Sequence, residues 1–150
     1  MDYQYRSAEL VVGRPALRSI FMPFPVACFT LTLLTDIFYW QTSNLLWSHF
    51  SSWLLLAGLV FGGLAVLAGI IDLLVGRLRA PAPVWPLAIG GVVVLALAVV
   101  NSLVHAGDGW TAVVPYGLIL SAVTVVVMAV TGWFCRAPAY RYEAEVRHAG

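Results

Sequence analysis

Two carboxylates, Asp36 and Asp72, stand inside long apolar runs of this chain. An ionisable side chain within a bilayer is costly, so each is first read as functional. Asp36 lies one turn before Trp40, and Thr32, Asp36 and Tyr39 can share one helix face at i, i+4 and i+7. At the same expected depth stand Asn101 and His105, four residues apart at the end of the third span, with His49 opening the second span and Asp108 in the short outer loop. If these groups converge, three chemistries are open. Two histidines and a carboxylate can bind a transition metal. His49 and His105 can serve as axial ligands of a haem. Asp and His together can relay protons. The plainer alternative is a hydrogen-bonded clamp, because buried polar groups must be paired whether or not they work. For Asp72, which is expected near the opposite surface with Arg18, Arg77 or Arg79 in reach, the choice is between an ion pair or cap and a proton or cation site. No spacing here is diagnostic, and the P-loop, dinucleotide, zinc-protease and nucleophile-elbow motifs are missing from the sequence.

The elements that must hold these residues are membrane spans. Of 150 residues, 61% are hydrophobic and 10% charged, where a soluble domain carries about a quarter charged. The length leaves no room for a sizeable soluble domain beside a membrane unit. Four stretches approach the ~20 apolar residues that cross ~30 Å of hydrocarbon. They run roughly 20–40, 50–75, 84–104 and 113–134. Only helices satisfy their own backbone in lipid without closing a barrel, and runs such as Val92 to Leu97 show no strand alternation. The expected fold is an all-α, integral membrane four-helix bundle. Residues 1–19 form a cytoplasmic N-terminal segment, 20–134 the domain, and 135–150 a cytoplasmic tail that Pro138 breaks from the fourth helix.

Helix ends are marked by Pro23, Pro25, Pro86 and Pro115, by Ser48, Ser51 and Ser52 as N-caps of the second span, and by tryptophans near every span. The first span is too long for a signal peptide and is read as retained. All eight basic residues are Arg, and all lie before the first span, between the second and third, or after the fourth. Such segregation places both termini of a multi-pass chain in the cytoplasm. Cys28 and Cys135 then lie toward the reducing side. A net charge of +1 offers no field for nucleic acid, and the apolar spans make the lipid bilayer the expected partner.

Small residues stripe two of the helices. Gly58, Gly62, Ala65, Gly69, Asp72 and Gly76 follow a 4-3-4-3-4 spacing, and Gly117, Ser121, Thr124, Met128, Thr131 and Cys135 repeat it. Such stripes let backbones approach closely in lipid. They are expected to face the bundle interior, with a homo-oligomer seam as the alternative.

Several ordered runs add a family likeness. They include Pro23-Phe24-Pro25-Val26-Ala27-Cys28-Phe29, Leu33-Leu34-Thr35-Asp36-Ile37, Ala68-Gly69-Ile70-Ile71-Asp72, Asn101-Ser102-Leu103-Val104-His105 and Val130-Thr131-Gly132-Trp133. From about Gly13 to Tyr142 the chain resembles the small bacterial membrane proteins of the domain of unknown function 2231 family. The resemblance implies four spans, a multi-pass place in the bacterial inner membrane, no established activity, and recurrent polar positions at Asp36, Asp72 and Asn101. Fusion of some members to cytochrome-like domains implies a respiratory setting. Where relatives carry histidines, this chain has Arg18-Ser19 and Val84-Trp85-Pro86-Leu87, so a cofactor held by those histidines would not be held here in the same way. His105 stands where relatives often have Arg. The leading expectation is a non-enzymatic accessory or interaction subunit within a homo-oligomer or larger membrane complex, beside a respiratory complex. The alternatives are a haem- or metal-binding electron carrier and a conductor of protons or small solutes through Asp36 and Asp72.

Overall fold

A computed structural model describes residues 17–75, 85–107 and 113–148, the last fourteen of these by backbone alone. Helix α1 (Leu17–Phe21) leads into α2 (Pro23–Thr42), followed by α3 (Leu45–Leu74), α4 (Trp85–Ala106), a single wide turn at Val113–Gly117 and α5 (Leu118–His148). Four segments are long and apolar enough to cross a membrane: Leu17–Thr42, Leu45–Leu74, Trp85–Ala106 and Val113–Phe134. α2 packs on α3 and α4 on α5, and the two hairpins close into a ring through α2–α5 and α3–α4 contacts.

The first span is broken at Met22 for a local reason. Pro23 and Pro25 have no N–H to give the carbonyls of Ser19 and Phe21, so the last regular bond before the break is Met22 N–H to the Arg18 carbonyl, 3.0 Å. α2 ends at Ser43, whose left-handed conformation (φ 53°) turns its N–H back onto the Tyr39 carbonyl at 2.8 Å. The second span starts earlier than expected. Its cap is Asn44, not Ser48, Ser51 or Ser52, and Asn44 Oδ1 accepts the Leu46 N–H at 3.0 Å. Only Ser43 and Asn44 separate α2 from α3. Asn44→Ala should therefore cost about 1 kcal/mol of stability, read as a lower unfolding midpoint in detergent.

The expected break at Pro138 is corrected: α5 is helical from Leu118 through Pro138 to His148. Proline fits helical φ, and its backbone cost is the missing N–H that would bond the Phe134 carbonyl together with the crowding of its ring against that carbonyl.

The apolar core lies midway along the bundle. Phe29, Leu55, Val94 and Ala98 are buried together, with Leu59, Leu95, Val127 and Met128 packed against them. Large apolar side chains such as Trp53, Leu74, Leu103 and Trp133 stay exposed, as lipid-facing residues must. The small-residue stripe of α3 faces inward: Gly58, Gly62, Ala65 and Asp72 are buried. The seam then drifts by one residue, so Ala68 is buried in place of Gly69. Gly117 in the wide turn and Ser121 and Thr124 on α5 are buried, while Met128 and Thr131 are half-buried. A Cβ on Gly58 would collide with the Phe29 ring, and one on Gly62 would stand 2.6 Å from Leu95 Cδ2. The Gly58–Gly62 pair thus packs against Phe29 of α2 and Leu95 of α4 within the chain.

Candidate functional site

Near the α2–α3 turn all four spans contribute polar side chains to one buried cluster. Its centre is Asp36, with no accessible surface. The Ser51 hydroxyl on α3 donates to Asp36 Oδ1 at 2.5 Å, and the Ser121 hydroxyl on α5 donates to Oδ2 at 2.6 Å. His105 on α4 places Nε2 3.0 Å from Oδ1. Asn101, one turn earlier, donates through Nδ2 to Ser121 Oγ at 2.8 Å. Thr35 Oγ1 lies 2.7 Å from Ser51 Oγ and within 3.0 Å of the Leu31 and Thr32 carbonyls, so its one proton has three acceptors to choose among.

Local sequence sets this up. Thr32, Thr35, Asp36 and Tyr39 form the buried face of α2 at helical spacing. Gly117 gives His105 its place: a Cβ there would stand 2.9 Å from His105 Cε1. The wide turn before it includes Val114 in extended geometry (φ −120°, ψ 122°), and so re-aims the chain into α5.

The hydrogen-bond directions fix the proton count. His105 Nδ1 faces the Asn101 carbonyl at 3.0 Å. A carbonyl only accepts, so Nδ1 carries a proton. A second proton then lies between Nε2 and Asp36 Oδ1, bonded to one or the other. In either arrangement the pair is neutral in sum, the state an apolar interior favours. Asn101 Oδ1 is buried with no partner among the described residues.

The remaining candidates lie elsewhere. His49 is exposed. It precedes the buried Ser51 by two residues, which turns it about 200° around α3, away from Asp36. Asp108 lies outside the described residues. Asp72 is buried near the other end of the bundle, where Oδ2 accepts the main-chain N–H of Arg18 at 3.1 Å. Arg18 thus reaches it through its backbone, while Arg77 and Arg79 lie outside the described residues. Between Asp36 and Asp72 stands the apolar cluster of Phe29, Leu55, Val94 and Ala98.

The donor set does not suit haem or metal. Both ring nitrogens of His105 are engaged within the protein, and His49 points away from it. No group of three His, Cys, Asp or Glu able to hold an ion occurs among the described residues. Ser51 and Ser121, read from sequence as a cap and a packing residue, turn out to be the carboxylate's hydroxyl donors. Their signal was available: Ser51 and Leu55 extend the Gly58 stripe toward the turn, and Ser121 sits on the α5 stripe.

Fold and cluster together define a four-span helical membrane protein with a buried polar centre tying its two hairpins. More particularly, the chain belongs to the family described as predicted membrane protein (DUF2231), whose model matches residues 14–148. No curated protein and no solved structure matches it.

Proposed function

We propose that this is a non-enzymatic accessory protein of the bacterial inner membrane, with both termini cytoplasmic, which works by binding within the bilayer. Its Asp36 cluster is a latch between hairpins. One observation carries this reading: every hydrogen bond that Asp36 makes is satisfied from within the protein, by residues of all three other spans. Conduction is disfavoured by the same geometry. A proton moving between Asp36 and Asp72 would have to cross the packed apolar cluster, which offers it no polar group. Electron transfer lacks a matched pair of ligands, as His49 is exposed on the far side of α3.

The test has three arms. Proteoliposomes carrying the protein should pass protons no faster than empty ones. The purified protein should show no haem absorption that is lost on joint substitution of His49 and His105. Gentle extraction of native membranes should yield one defined complex larger than the single chain. Flux abolished by Asp36→Asn would overturn the reading in favour of conduction. Haem bands lost in the double histidine variant would overturn it in favour of electron transfer, and a lone monomer would remove the accessory role.

A further inference from the structure

At the end opposite the latch, α2, α3, α4 and α5 part to leave a groove of about 450 Å³ open on one side. That volume lies within the ~300–1,000 Å³ typical of small-molecule sites. Its floor is Phe29 and Val94, its walls include Gly91 and Gly132, and Arg18 and Trp85 stand at the rim. In a bilayer such a groove is filled by something apolar. We infer that it holds one acyl chain of an anionic phospholipid, whose phosphate is bound by the Arg18 guanidinium.

Three observations support that occupant. First, length: the groove follows α3 from Leu73 to Gly62 and α4 from Trp85 to Leu95. Ten or eleven residues of helix rise about 16 Å, half of the ~30 Å hydrocarbon thickness. The groove therefore accommodates the depth of a single leaflet and stops at the core cluster. Second, charge: among the described residues Arg18 is the one charged group on a lining that is apolar except for Thr131, and it is at the mouth. Its stem crosses Gly69, with Cδ 4.0 Å from where a Cβ would stand. This is the posture of an arginine covering apolar surface while its head stays at the interface. Third, the backbone holds Arg18 there, because its N–H is bound to buried Asp72. The carboxylate of Asp72 thereby gains a role as anchor of the phosphate-binding residue. This inference does not depend on the accessory role.

Native mass spectrometry of the full chain in detergent tests it, with phosphatidylglycerol and phosphatidylcholine of matched chains as probes. One phosphatidylglycerol per chain should be retained, preferred over phosphatidylcholine by about fivefold, the effect of one basic side chain at a membrane surface. Arg18→Gln leaves the main-chain bond to Asp72 intact and should abolish the preference, while Arg18→Lys should largely keep it. Gly91→Leu with Gly132→Leu enters open space, since a Cβ at either glycine meets nothing within 4 Å, and should reduce retention of both lipids. A preference unchanged in Arg18→Gln would overturn the phosphate assignment. Retention unchanged in the double leucine variant would place the lipid elsewhere. A tightly held phosphorus-free lipid, such as a quinone, would overturn the choice of occupant.

Discussion

Asp36→Ala should destabilise the bundle by about 3–5 kcal/mol, the usual cost of removing one partner from a buried polar pair. The substitution takes away the hydrogen-bond partner of three groups at once: the Ser51 and Ser121 hydroxyls and the His105 ring. None can turn to water at that depth, and each unsatisfied group costs roughly 1–3 kcal/mol. Asp36→Asn keeps the shape and one acceptor oxygen. It should therefore lose less, about 1–3 kcal/mol, the cost of an amide group that presents hydrogens to a donor. The measurement is reversible unfolding in mixed micelles. His105→Ala alone, and the double variant with Asp36→Ala, complete a cycle. Neighbours in one network show coupling of about 0.5–3 kcal/mol, whereas independent sites add. Strict additivity would mean that the Asp36–His105 contact carries no energy and that the latch is made by the serines alone.

The span count and class were legible because apolar runs of this length allow only one backbone solution in lipid. The stripe on α3 was legible for the same reason that it folds: Gly58, Gly62 and Ala65 have little to offer except close approach. Asp36, Asn101 and His105 could be placed at one membrane depth, but depth is only one coordinate. Rotation about the helix axis decided that His105 turns in and His49 turns out, and it follows from tertiary packing that short spacings do not encode. Ser51 illustrates the ambiguity. A serine near a helix start is a good cap by local rules, yet Asn44 starts the helix two turns earlier and frees Ser51 for the carboxylate. The path of α5 through Pro138 shows a local rule outweighed by one continuous helix.

Gly58→Ala gives the second large effect, from one carbon atom. The new Cβ would overlap the Phe29 ring, and Phe29 is almost wholly buried in the core with Leu55, Val94 and Ala98. The ring has no free side to move toward, so either its rotamer or the α2–α3 spacing must change. Overpacking of this sort costs about 1–3 kcal/mol, and Gly58→Val should cost more. Helix propensity acts in the opposite direction: an alanine is favoured over glycine by about 1 kcal/mol in a helix interior. Gly63 supplies the control for that term. It lies on the same helix, and a Cβ there meets nothing within 4 Å. Gly63→Ala should therefore be neutral or slightly stabilising, while Gly58→Ala destabilises. The contrast also separates the two uses of a small-residue motif. If Gly58 and Gly62 pack within one chain, Gly58→Ala lowers the unfolding midpoint at every protein concentration. A seam between copies would instead show as a shift from oligomer to monomer, with the isolated chain as stable as before.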